Sequence, residues 1–78
     1  MEMLEITTTV DARGLSCPMP IVRTAQAIKT MASGSVLEVL ATDPGSIKDF
    51  AAWCRSTGND LVEQTSDAAV YRFVIRRK

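Results

Sequence analysis

Leu4, Ile6, Thr8 and Val10 alternate with Glu5, Thr7 and Thr9, the period-2 pattern of a half-buried strand over 4–10. A polar, glycine-bearing loop at 11–16 follows, and then the period changes. Ile21, Val22, Ala25, Ile28 and Ala32 recur at helical spacing, with Arg23, Gln26, Lys29 and Thr30 on the other side. This predicts an amphipathic helix over 18–32, terminated near Gly34. The mostly apolar run Val36-Leu37-Glu38-Val39-Leu40-Ala41 suits a central strand. Asp43-Pro44-Gly45-Ser46 breaks it and opens a second helix, with Asp43 capping ahead of Pro44 or Ser46 capping with Asp49 answering three residues later. Ile47, Phe50, Ala51 and Cys54 form the stripe of that helix, and Gly58 ends it. Leu61-Val62 and Val70-Tyr71-Arg72-Phe73-Val74-Ile75 read as a closing hairpin around Asp67-Ala68-Ala69.

The order β-α-β-α-β-β makes this an α/β chain of the α+β two-layer sandwich type. Right-handed crossovers lay both helices on one face of a four-stranded mixed sheet. The polar alternates Thr7, Thr9, Glu38, Arg72 and Arg76 predict a solvated opposite face. No repeat, linker or low-complexity stretch divides the chain, so residues 1–78 are expected to form a single domain.

Composition narrows the function classes. Hydrophobic residues make up 46% and charged residues 23%, which suits a folded globular chain and not a disordered one. Nine basic residues balance nine acidic ones, so the basic excess of a nucleic-acid binder is missing and no direct nucleic-acid contact is expected. Arg76-Arg77-Lys78 reads as a solvated strand end. No apolar run approaches the ~18 residues of a membrane span, and the acidic start lacks the layout of a signal peptide. The expected location is cytoplasmic, where thiols stay reduced. There is no histidine, and the two cysteines lie far apart. The usual general base, Cys-x-x-Cys redox chemistry and most zinc chemistry are therefore excluded, and neither a metal nor a bound cofactor is expected.

The chemistry concentrates in Asp11-Ala12-Arg13-Gly14-Leu15-Ser16-Cys17-Pro18-Met19-Pro20. Proline suits a first helical turn, so Cys17 reads as the N-cap and Pro18 as the first helical residue. A thiol there would face unpaired N–H groups, Met19 and Ile21 among them, and the positive end of the helix dipole. Such fields contribute ~0.3–1 kcal/mol, enough to favour the reactive thiolate moderately. The alternative is a small buried hydrophobe, but no apolar periodicity claims position 17. Cys54, by contrast, shares the stripe of Ile47, Phe50 and Ala51 and reads as core, with a resolving thiol as the minority reading. Trp53 falls beside that stripe.

Gly14-Leu15-Ser16-Cys17-Pro18-Met19-Pro20, just after a first strand, resembles the Gly-Leu-x-Cys-Pro-x-Pro signature of the TusA-like (SirA-like) sulfur carrier family. Asp43-Pro44, the Phe50…Cys54 helix and the Tyr71–Arg76 strand resemble family features more weakly, and the likeness covers nearly the whole chain. The resemblance implies the two-layer fold and a sulfane sulfur carried on Cys17 as a persulfide. The implied donor is a cysteine desulfurase or a rhodanese. The implied acceptor is a TusD- or DsrE-type protein serving tRNA 2-thiouridine synthesis, molybdenum-cofactor assembly or sulfur oxidation.

Around Cys17, Gly14 supplies backbone freedom. Leu15 is either a staple onto the first turn or an exposed docking residue, with the staple favoured. Arg13 either lowers the thiol pKa by proximity or is simply solvated. Pro18 and Pro20 stiffen the helix entrance and leave Met19 as the nearest free N–H. Met19 is either an apolar rim beside the thiol or core filling. The expected partner surface is Arg13, Leu15, Met19 and Pro20 on a monomer, and Asp43 reads as a helix cap. A thiol redox protein and a non-catalytic binding module stand as alternatives to the carrier.

Overall fold

Elements appear in the predicted order in the computed structural model, which describes residues 5–78. They are β1 (Ile6–Ala12), α1 (Met19–Ile28), β2 (Val36–Ala41), α2 (Ser46–Thr57), β3 (Asp60–Asp67) and β4 (Val70–Arg76). The sheet runs β1-β2-β4-β3; β1 is parallel to β2, and the other two pairings are antiparallel. α1 packs over β1 and β2 and α2 over β4 and β3, so both helices share one face. Leu4, expected in the first strand, lies outside the described residues.

One core fills the space between the layers. Leu37, Val39 and Ala41 of β2 meet Phe73 and Ile75 of β4, with Ile28 and Met31 at the α1 end and Phe50 and Cys54 from α2. Phe50 stacks on Phe73 with centroids 4.5 Å apart, and Trp53 meets Phe50 edge-on at 6.3 Å. Trp53 therefore packs at the helix edge beside the stripe, and Cys54 is core, 4% exposed.

α1 is shorter than its periodicity predicts. It stops at Ile28 and tightens into i→i+3 turns, Thr30 N–H to Ala27 O and Met31 N–H to Ile28 O. The tightened turns swing Met31 into the core, and Gly34 belongs to the turn before β2 and not to the helix end. The buried line of α1 is Pro20, Thr24 and Ile28, while Val22 and Ala32 are exposed. A buried threonine is tolerated because its hydroxyl donates to Pro20 O at 2.8 Å.

Neither predicted cap of α2 forms. Gly45 occupies the N-cap position with no side-chain cap hydrogen bond, Ser46 is buried with its Oγ unpartnered, and the Asp49 carboxylate accepts from Cys17 instead. Gly58 closes α2 at φ 80°, donating its N–H to Cys54 O at 2.9 Å.

β3 extends far beyond Leu61-Val62 by pairing with β4 as far as Asp67, an extension that periodicity does not reveal because Glu63–Asp67 are exposed on an edge strand and carry no apolar alternation. A bulge at Val62 separates the pairs Leu61–Ile75 and Glu63–Val74. The β3–β4 turn is two residues, Ala68 and Ala69, both at positive φ (49° and 66°).

The face opposite the helices is bridged more than solvated. Thr9 donates to Glu38 (3.1 Å), and Arg72 reaches Glu38 (2.5 Å) and Glu63 (2.7 Å), linking all four strands. On that face Val36 and Val74 are buried, at 5% and 2% exposure. Among the described residues no helix is long and apolar enough to cross a membrane.

Candidate functional site

The carboxyl ends of the parallel pair β1 and β2 release two loops on the same side of the sheet, a position where open α/β sheets commonly place their chemistry. The loops are stitched together by two contacts. Gly14 N–H donates to Thr42 Oγ1 at 2.9 Å, and Cys17 N–H donates to Asp43 Oδ2 at 2.8 Å. Gly14 sits at φ 80° with nothing within 4 Å of where a Cβ would stand. Its backbone angle, and not lack of room, is what requires glycine there.

Cys17 stands one residue before the N-cap it was expected to occupy. The first helical hydrogen bond runs from Val22 N–H to Pro18 O at 3.0 Å, which makes Pro18 the cap. Cys17 and Pro18 are the middle of a turn closed by Met19 N–H to Ser16 O at 2.9 Å, with a cis peptide between them. The expected free N–H of Met19 is therefore already used.

The thiol is exposed, and its nearest charge is negative. Cys17 Sγ donates to Asp49 Oδ2 at 2.9 Å. That hydrogen bond, some desolvation and the fields of Asp49 and Asp43 all favour the protonated sulfur, so the thiol pKa is raised. The expected lowering by the helix dipole is overturned, because the Asp49 carboxylate touches the sulfur itself while the helix begins one residue further on. Arg13 gives no relief. Its guanidinium grips Asp11 through Nε (2.8 Å) and Nη2 (2.9 Å), holding that carboxyl down at about 2.

The remaining predicted residues divide. Met19 is 40% exposed and Pro18 is exposed, both flanking the thiol in the chain. Leu15 is half-buried against the core, as a staple would be. Pro20, expected on the rim, is fully buried and packs inward with Thr24. Asp43 caps nothing in the helical sense; its Oδ1 accepts the Gly45 N–H (3.3 Å) while Oδ2 holds Cys17. The sequence offers Asp49 only as half of a capping box. Its link to Cys17 spans 32 positions, and no local pattern encodes it.

Residues 8–77 match the sulfurtransferase TusA family. The chain belongs to the TusA family. The sulfur carrier protein TusA of Allochromatium vinosum is 44% identical over 75 residues, covering 96% of this chain and 99% of that one. Sulfur carrier protein TusA of Pseudomonas putida is 38% identical over 69 residues, covering 88% and 86%. Among solved structures, a SirA-like protein from Desulfitobacterium hafniense superposes with a TM-score of 0.79 at 26% identity, over 90% of this chain and 96% of that one. This TusA-family chain is thus similar over nearly its whole length to sulfur carriers. It holds one exposed thiol, Cys17, and one buried thiol, Cys54. Burial pushes the Cys54 thiol up to about 11, so it stays protonated and inert at neutral pH.

Proposed function

We propose that Cys17 carries sulfane sulfur as a persulfide between a donor and an acceptor protein. The contrast between the two thiols carries this reading: Cys17 projects from a surface turn, and Cys54 is sealed in the core. Loading is an exchange. The Cys17 sulfur attacks the terminal sulfur of a donor persulfide, a new S–S bond forms, and the donor's own S–S bond breaks. The Cys17 proton ends on the departing donor thiolate, so no oxidant is consumed. Unloading repeats the exchange on an acceptor thiol.

A cysteine desulfurase or rhodanese suits the donor role and a TusD- or DsrE-type protein the acceptor role. The pathways that fit are tRNA 2-thiouridine synthesis, molybdenum-cofactor assembly and dissimilatory sulfur oxidation. In this reading the protein works in the cytoplasm as a monomer. It needs no cofactor beyond the covalent sulfur and meets proteins and not RNA, which agrees with its zero formal charge. With Cys54 buried there is no second exposed thiol to resolve a sulfenic acid, which disfavours a redox role.

Intact mass after incubation with a cysteine desulfurase and cysteine tests the proposal. The wild type should gain one sulfur atom, reversibly with a thiol reductant, and Cys17→Ser should gain none. Loading that persists in Cys17→Ser would overturn the assignment.

A further inference from the structure

Asp49, in the first turn of α2, reaches across to the Cys17 sulfur at 2.9 Å, while Asp43 holds the backbone of the same residue at 2.8 Å. Cys17 is thus gripped at its main chain and at its side chain by two carboxylates from the second half of the chain. The basic residue of its own loop, Arg13, is committed to Asp11. From the elements around Cys17, the charged groups that act on it are Asp49 of α2 and Asp43 of the β2–α2 loop, both negative.

We infer that Asp49 is a positioning residue for Cys17: its carboxylate holds the sulfur against α2 as a neutral thiol and releases it once the sulfur loses its proton. The chemistry follows from donor and acceptor inventories. An ionised carboxylate can only accept, so the contact exists only while Sγ carries hydrogen. A thiolate at the same separation would face a like charge. A persulfide, the part of the inference that rests on the proposed carrier role, has no proton left on Sγ, because that atom is bonded to carbon and sulfur. Empty carrier is therefore tethered and sluggish toward stray electrophiles, and loaded carrier has its sulfur untethered. The two states differ at the surface a partner meets.

Asp49→Asn keeps size and an acceptor oxygen but removes the charge. Its rate of iodoacetamide alkylation at neutral pH should rise about threefold or more, with the pH profile and the ultraviolet thiolate signal both moving to lower pH. A profile that stays in place or moves upward overturns the inference. A role confined to folding would leave that profile unmoved. Should Asp49→Asn fail to fold by circular dichroism, the wild type decides alone. The Asp49 carboxyl carbon resonance should step at the pH where the thiol titrates, and the step should vanish in Cys17→Ala. An absent step refutes the contact. Wild-type protein that gains sulfur without any change in the Asp49 resonance refutes the release. Wild-type protein that shows the step and never gains sulfur refutes the carrier role and leaves the tether standing.

Discussion

The backbone N–H of Cys17 rests on Asp43 Oδ2 at 2.8 Å, a hydrogen bond that joins residues 26 positions apart. It fixes where the turn bearing the thiol stands relative to α2. The same side chain also accepts the Gly45 N–H, so one carboxylate orders two loops.

Asp43→Ala should therefore loosen both loops. Two exposed backbone hydrogen bonds are lost and water replaces them in part, for a cost of about 1 kcal/mol. In a domain of this size that lowers Tm by about 4–8 °C. Asp43→Asn retains one acceptor oxygen and should fall between, as calorimetry would show.

Cys17→Ser should separate reactivity from stability. The serine hydroxyl can donate to Asp49 as the thiol does, and the site is exposed. Tm should stay within about 3 °C of wild type, while persulfide loading read by mass spectrometry disappears.

Cys54 should add an alkaline limb to the stability curve. Its folded pKa is raised from 9.0 to about 11 by burial. Folding favours the protonated form, so the stabilisation is complete below pH 9 and is lost as pH climbs from 9 toward 11. Urea unfolding across that range should show Cys54→Val losing less stability with pH than wild type. Parallel curves would contradict the assignment.

The β3–β4 turn should be open to improvement. A two-residue turn with both φ values positive favours Asn-Gly, whereas alanine in that region costs about 1–2 kcal/mol. Ala68→Asn combined with Ala69→Gly should raise Tm by several degrees, about 4–8 °C for each kcal/mol recovered. A thermal melt of the double variant checks it.

Periodicity made the element order legible, because Leu37, Val39, Phe50, Phe73 and Ile75 carry their burial in their spacing. It misjudged α1, where Thr24 and Pro20 face inward and Val22 faces out. A threonine that satisfies its own hydroxyl within the helix breaks the polar-outside rule without any mark in the sequence. The length of β3 was hidden for the opposite reason: Glu63–Asp67 are exposed and carry no apolar alternation, and they pair with β4 through the backbone ladder and the Glu63–Arg72 ion pair. At the site, the exposed thiol and the glycine conformation could be read locally. The sign of the thiol shift could not, since it depends on Asp49, whose spacing from Ser46 suggested a cap. Arg13 illustrates the same limit, its charge being neutralised two residues away by Asp11.

The bulge at Val62 and the run Glu63-Gln64-Thr65-Ser66-Asp67 have a consequence for crowding. An unpaired strand border is an invitation to other strands, and this one is kinked at its start and studded with charge beyond it. Two molecules brought together along β3 would oppose like carboxylates before any ladder could zip. Concentrated solutions should thus stay free of dimers joined β3 to β3, and a Glu63→Val, Asp67→Val chain should be the first to form them.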